Sequence, residues 1–471
     1  MPGGTLHLSA YNNNPIDFTL KNPDITYFKS VFKRYTNFSN DNIIVNFNYE
    51  SSIESDYEGL KLTAKFDKIG HILNDVYFKI DVPKMLNINK ILPIDDFGLN
   101  IINKVILQIG SEIVSEFDSD WINIYYRRYL SNEKYRDIKS MINPKISLNR
   151  NKYLFNNQQI FVWLPFFFSR TISLGIPLFN LEYHDFIITI ILKPAKYWFT
   201  EISDNLRKPY NAMEYVSNTN TAEFQFSLFT NVTFFEDSLI KKIKTNKYER
   251  LIEQIQKIEI NNIINQNIKI PIYSKKAIKE FFIIAFREDN IKRNVFNNYS
   301  NYEDNNKSGD LSVPIEYLYS SYNTIDYLKQ LYFQKHIAFS SNIIDNIQLY
   351  LDEKPRFHIL KSNYLRLVQS YQYNMNFQED NNNIYYYSFS LNPIEIQPSG
   401  TLNLGRILKA EFEINMNMIP PNNPINTNLL SNDIENNINN YYAWTYGIKI
   451  YLVNYNVLKI FGGMSDLLFK K

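Results

Sequence analysis

The chain has 471 residues, 50 basic against 48 acidic for a net charge of +2, and no cysteine. That balance argues against a protein that wraps nucleic acid by neutralising phosphates, and the missing cysteine excludes disulfides, zinc ribbons and thiol catalysis. Aromatic residues make up 16% of the chain, chiefly 36 Tyr and 34 Phe, which tilts the composition towards pleated, half-buried strands. The length favours two domains. The opening Met1-Pro-Gly-Gly-Thr lacks the charged and apolar regions of a signal peptide, and the longest apolar runs, Phe161–Phe168 and Phe186–Leu192, are far short of a membrane span. The expectation is a soluble protein assembled in a reducing cytosol.

Period-two alternation, the mark of strands with one buried face, recurs along the sequence. It runs over Ile43–Glu50, Leu60–Phe66 and Asp75–Val82, then over Val105–Ile109 and Glu112–Phe117, joined by the turn candidate Gly110-Ser111. A helical stretch from Asp118 to Ile142 follows, capped by Asp118 or Ser119 and stopped by Pro144. Strands resume at Gln159–Phe168, Leu181–Leu192 and Glu223–Phe235, the eighth of the set. After a polar, basic connector, Ser238–Arg250, come Ile252–Ile260, Ile268–Tyr273 and Ala277–Phe286. A hairpin, Asn346–Leu351 and Arg356–Leu360, turns at Asp352-Glu353. Tyr385–Leu391, Leu408–Met418 and Trp444–Val453 complete a second eight, which again contains one hairpin. A duplicated eight-stranded unit is the simplest reading, and eight antiparallel strands in two packed sheets form a jelly roll. The predicted fold is all-β: an arm over 1–39, a first jelly roll over 40–237 carrying a short helical insertion, a linker over 238–250 and a second jelly roll over 251–471. Glu201–Thr221, Arg287–Asn323 and Pro420–Asn440 are too polar for a core and read as long surface loops.

The segment Asn22-Pro-Asp-Ile-Thr-Tyr-Phe-Lys-Ser-Val-Phe-Lys-Arg-Tyr-Thr-Asn-Phe resembles the N-terminal signature of double-jelly-roll major capsid proteins of nucleocytoplasmic large DNA viruses. Further similarities follow in the family's order: Gly3-Gly-Thr-Leu-His-Leu-Ser-Ala-Tyr upstream, then Leu107-Gln-Ile-Gly-Ser to Trp121, Leu164-Pro-Phe-Phe-Phe, Ile176-Pro-Leu, Glu182-Tyr-His-Asp, Gln397-Pro-Ser-Gly-Thr-Leu-Asn and Asn454-Tyr-Asn-Val-Leu-Lys-Ile-Phe-Gly-Gly-Met. The resemblance covers nearly the whole chain. It implies a homotrimer whose six jelly rolls give a pseudo-hexagonal capsomer of an icosahedral shell, with neighbouring capsomers and minor capsid proteins as partners and the virion capsid as its location. One departure stands out. Where the family usually carries Ser-Arg-Ile-Asp, this chain has Gly405-Arg406-Ile407-Leu408.

The residues themselves point to no cofactor and no metal. His7, His71, His184, His336 and His358 are scattered, and a metal site on a β-barrel needs His and carboxylate ligands at strand spacing. His184 and Asp185 are adjacent on an extended segment and face opposite ways, a poor catalytic dyad. Nucleophile elbows and phosphate loops are absent, so the expectation is a protein that is not an enzyme. Asp352-Glu353 reads as a solvated turn. Phe166-Phe-Phe and Tyr385-Tyr-Tyr read as core plus subunit interface in preference to stacking platforms. Asn22-Pro23 allows a helical turn to begin after it, placing Phe28, Val31, Phe32 and Tyr35 on one face. Lys29, Lys33, Arg34 and Tyr35 are the candidate assembly residues, facing a neighbouring capsomer or an inner-layer protein. Competing readings are a minor capsid paralogue or assembly scaffold of the same fold, and a carbohydrate-binding jelly-roll module.

Overall fold

The computed structural model describes residues 3–10, 36–49, 59–83, 85–86, 91–144, 146–149, 152–155, 158–203, 206–210, 224–245, 247–291, 294, 296–302, 340–373, 375, 383–417, 430–433, 438–441 and 445–469. They belong to two compact units, Met1–Phe38 and Ser39–Lys471. In the first unit helix α1, Gly3–Ala10, is described. The expected helical turn after Asn22 and the candidate residues Lys29, Lys33, Arg34 and Tyr35 lie outside the described residues.

The second unit is built from antiparallel strands. The first set is β1 (Phe38–Asn46), β2 (Lys61–Lys65), β3 (Ile72–Val82), β4 (Ile102–Ile109), β5 (Glu112–Asp118), β6 (Gln158–Trp163), β7 (Phe186–Leu192) and β8 (Gln225–Phe235). The second set is β9 (Tyr248–Ile263), β10 (Asn267–Pro271), β11 (Ala277–Arg287), β12 (Ile344–Leu351), β13 (Lys354–Pro355), β14 (Ile384–Ser388), β15 (Ala410–Met416) and β16 (Tyr446–Phe461), with β17 (Met464–Leu467) folded back on β16. β3 shows why these sequences form strands: Val76, Phe78, Ile80 and Val82 are buried, while the alternating Asp75, Tyr77, Lys79 and Asp81 are not, as the two-residue period of a strand requires.

The first set makes two sheets, ordered β1-β8-β3-β6 and β2-β7-β4-β5, and the second set makes two more, ordered β9-β16-β11-β14 and β10-β15-β12-β13. Adding eight to each strand of the first pair of sheets reproduces the second pair. Each set is therefore a jelly roll of the same topology, two sheets face to face. One apolar cluster, including Phe281, Ile283, Ile347, Phe412, Ile414 and Ile450, fills the second sandwich. The other fills the first and continues onto the outer face of β9-β16-β11-β14 through Phe282, Ile284, Tyr386, Tyr451 and Val453.

Both expected hairpin turns form. Gly110 takes φ 62° and Asp352 and Glu353 take φ 46° and 66°, the left-handed geometry that matches a tight hairpin's twist. Other expectations need correction. The helical stretch after Asp118 is two helices, α2 (Ser119–Tyr129) and α3 (Asn132–Ile142), because Ser131 starts a second cap by accepting from the Lys134 N–H. The connector is not plain linker: Asp237–Thr245 is helix α4, and β9 already begins at Tyr248. Phe166-Phe-Phe is not strand. β6 ends at Trp163, and Phe167–Ser169 is a 3-10 turn that leaves all three rings in the core, Phe166 stacked on Phe168 at 5.2 Å. The second jelly roll carries a helical insertion too: a π-turn, Tyr364–Val368, runs into Gln369–Gln372, together α5.

Candidate assembly site at the junction of the two sandwiches

The position of α2 follows from its sequence. The Asp118 carboxylate caps it by accepting from the Trp121 N–H at 3.0 Å, satisfying a donor that the first turn would otherwise leave unpaired. Trp121, Tyr125 and Tyr129 then recur every fourth residue and form one ridge. Its two ends, Trp121 and Tyr129, are driven into the outer face of β9-β16-β11-β14, while Tyr125 between them lies against Trp163 of the first sandwich at 5.8 Å. Trp121 lies edge-on to Phe282 and tilted against Tyr451, both with centroids 5.7 Å away, and Tyr129 meets Phe282 at 6.1 Å. Tyr126, on another face of α2, stacks on Trp163 and donates to its carbonyl, tying the helix to its own sandwich. Aromatic contacts of this kind are worth about 0.5–1.5 kcal/mol each beyond the area they bury.

Charged groups ring this apolar wedge, most of them in pairs. Lys279, fully buried, sits 2.7 Å from Glu253 and 3.2 Å from Glu280. The Tyr129 and Tyr386 hydroxyls donate to Glu280. Arg170, in the β6–β7 loop of the first sandwich, reaches Glu253 at 2.5 Å, lies over the Tyr129 ring and donates to the Ile394 carbonyl at 2.8 Å. On the other side of α2, Asp118 accepts from the Tyr451 hydroxyl at 2.8 Å and pairs with Lys257 at 3.1 Å. Asp120 accepts from Tyr299 at 2.8 Å and pairs with Lys449 at 2.5 Å. Burial alone would raise the Asp120 and Glu253 carboxyls, but Lys449 at the first and Lys279 with Arg170 at the second hold both below the usual carboxylate range. Buried ions stay charged only when paired and hydrogen-bonded in this way. Burial draws the Lys193 amine down to about 8.

A second tie joins the sandwiches at their edge. The Tyr183 N–H donates to the Gly463 carbonyl at 3.0 Å, and His184 Nδ1 accepts from the Ser465 N–H at 3.0 Å. His184 is thus a structural bridge, while Asp185 pairs with Lys65. The reading of Tyr385-Tyr-Tyr is refined: Tyr385 and Tyr387 face the second core, and Tyr386 faces the junction inside the same chain. Asp352 is more than a solvated turn residue, since its carboxylate accepts from the Leu408 and Lys409 N–H groups at 3.0 and 2.8 Å. A carboxylate therefore organises the loop that departs from the family pattern, supplied by the neighbouring hairpin, and Leu408 points outward, 97% exposed. Among the described residues no group of three or more His, Asp or Glu side chains could hold a metal ion, and no helix is long and apolar enough to cross a membrane.

Sequence reasoning missed the junction. Its signals were present: an aromatic every fourth residue in α2, and Lys279-Glu280 in the middle of an otherwise apolar strand.

Two family models match in succession, one for the N-terminus of the major capsid protein over residues 26–236 and one for the large eukaryotic DNA virus major capsid protein over residues 240–465. The chain belongs to the major capsid protein family of large eukaryotic DNA viruses. Among curated relatives, the major capsid protein of Paramecium bursaria Chlorella virus 1 is 25% identical over 99% of both chains, and that of Phaeocystis pouchetii virus is 23% identical over 99% of both. Among solved structures, the PBCV-1 virus capsid model superposes with a TM-score of 0.69 at 21% identity, covering 95% of this chain and all of that one. The boundary between the two capsid family models falls within α4, between β8 and β9, where the strand pattern begins again. This family member is a structural capsid protein of the double-jelly-roll fold and not an enzyme.

Proposed function

We propose that three copies of this chain form a closed, pseudo-hexagonal capsomer, and that such capsomers tile an icosahedral shell together with neighbouring capsomers and minor capsid proteins, assembled in the host cytoplasm. In this reading an arm precedes β1, and the two structural units, one closing with β8 and the other opening with β9, are joined through α4. The observation that carries it is the repeated strand order of the two sandwiches joined by an unlike contact. The α2 insertion of the first meets the outer sheet of the second, and a contact between two different surfaces, repeated between copies, makes a ring where the rotation from copy to copy closes. Size-exclusion chromatography with light scattering tests the reading. The expected mass is about three times 55.9 kDa, and a monomer stable at micromolar concentration overturns it.

The arm is proposed to contact a neighbouring capsomer or an inner-layer protein through Lys29, Lys33, Arg34 and Tyr35. Deleting Met1–Ser39 is expected to leave a soluble trimer that enters particles poorly. Normal particle yield from that variant removes the arm's role.

A further inference from the structure

Three connections of the second sandwich leave it at the same end: β10 to β11, the tight turn from β12 to β13, and the long loop from β14 to β15. They are laced together. The Leu404 N–H donates to the Lys276 carbonyl at 3.3 Å and the Ile272 N–H to the Ala410 carbonyl at 2.8 Å, while Asp352 accepts from Leu408 and Lys409. The β6–β7 loop of the first sandwich joins them through Arg170, which donates to the Ile394 carbonyl.

Large apolar side chains stand out from this end. Tyr273 is 82% exposed, Leu391 75% and Leu408 97%, and Ile172, two residues beyond Arg170, is 81% exposed. One exposed leucine needs no explanation, but several large apolar groups on neighbouring loops mark an interaction surface. They are separate tips. A side chain exposed to this degree touches almost nothing of its own protein, so the four do not make the closely packed apolar centre of a protein–protein interface. Cations stand among the tips, with Lys275, Lys354, Arg356 and Arg406 all exposed in or beside the same loops. Of the carboxylates there, Asp352 is committed to two backbone N–H groups, which leaves Glu353 and Glu395.

Separated apolar tips with cations between them suit a partner that yields around each tip. The headgroup layer of an anionic bilayer is such a partner. Leu and Ile side chains dip below the headgroups, Tyr settles at the boundary, and Lys and Arg stay level with the phosphates.

We propose that this end of the second sandwich is a peripheral docking surface for an anionic lipid bilayer, with Tyr273, Leu391 and Leu408 as shallow anchors and Lys354 and Arg406 as headgroup contacts. The proposal adds a partner to the capsid reading and does not depend on how many copies make a capsomer. It also gives the Gly405–Leu408 departure a role. With the carboxylate supplied by Asp352 from the neighbouring hairpin, position 408 is released to carry an anchor. Each copy binds weakly through so few tips, and many copies side by side hold one bilayer by multivalency.

Flotation of the full chain with phosphatidylcholine vesicles, with and without phosphatidylserine, tests this. The chain is expected to float with the phosphatidylserine vesicles, to stay behind with phosphatidylcholine alone, and to be released by salt. Leu408→Ser with Tyr273→Ser, at positions too exposed to disturb folding, is expected to keep the thermal midpoint and weaken binding on the order of tenfold or more. Lys354→Gln with Arg406→Gln should weaken it by about fivefold for each charge removed. Tyr273→Trp reads the contact directly, since its emission is expected to be quenched by lipids brominated high on the acyl chain. No flotation, or flotation that neither pair of substitutions reduces, overturns the proposal. Binding to poly-glutamate but not to vesicles assigns the cations to an acidic protein segment and likewise overturns it, and the capsid reading stands in either case.

Discussion

The guanidinium of Arg170 lies 2.5 Å from the Glu253 carboxylate, joining the β6–β7 loop of the first sandwich to the opening strand of the second. Both groups are largely shielded from water, and Arg170 also spends a donor on the Ile394 carbonyl. Removing Glu253 strands the guanidinium in the junction, whereas removing Arg170 leaves Glu253 its second partner, Lys279. Glu253→Ala is therefore expected to cost about 3–5 kcal/mol of stability, measured as a shift in urea midpoint. Replacing both with methionine should cost much less, because no ion is left unpaired. Equal losses in the single and double variants would show that the pair contributes little.

Trp121 touches both Phe282 and Tyr451, so its truncation acts on the seam between the sandwiches and leaves the strands of each intact. Trp121→Ala should lower stability by about 3–5 kcal/mol. It should also turn a single calorimetric transition into two, as the halves lose their coupling. A variant that still melts in one step, only a few degrees lower, would place the coupling elsewhere.

Asp352 combines a left-handed backbone with a carboxylate that holds two N–H groups of the β14–β15 loop. Asp352→Ala removes the acceptor and puts an ordinary side chain in an unfavourable backbone region, for a loss of about 1–3 kcal/mol. Asp352→Asn tolerates the backbone and keeps an oxygen, and should recover most of that. If the two variants melt together below the natural chain, the acceptor is not what matters.

Acid should weaken the fold in a defined window. Burial raises the carboxyls of Asp96, Asp120 and Glu253, and nearby cations more than offset it: Lys139 and Arg127 at Asp96, Lys449 at Asp120, Lys279 and Arg170 at Glu253. Each carboxyl thus binds its proton less tightly folded than unfolded. The stability it contributes is complete above the unfolded value, about 4, and drains away as pH falls through that value towards the folded one. The urea midpoint should be level from about pH 8 to 5.5 and drop below about 4.5. Asp120→Asn should make the acid limb shallower. A midpoint already falling at pH 6 would point to other groups.

Strands such as β3, with one face in the core and one outside, were readable in the sequence because alternation records exactly one buried side. β11 was harder in detail, since it is buried on both faces from Ile278 onward and its pattern is a continuous apolar run broken by Lys279-Glu280. The break between α2 and α3 was signalled by Ser131, yet it was hidden by the helical texture on either side. The junction was out of reach for another reason. Asp118 and Tyr451 lie 333 positions apart, and nothing local says that they meet.

The wedge of α2 has a consequence for how the chain is made. Its ridge is synthesised near residue 120, but one of the two strands it closes on, β16, supplies Tyr451 only 333 positions after Asp118. Until then the nascent first half carries Trp121 and Tyr129 without the Phe282 and Tyr451 rings that cover them. Newly made chains should accordingly need shelter from one another during translation, and truncated products ending before residue 446 should be sticky and short-lived.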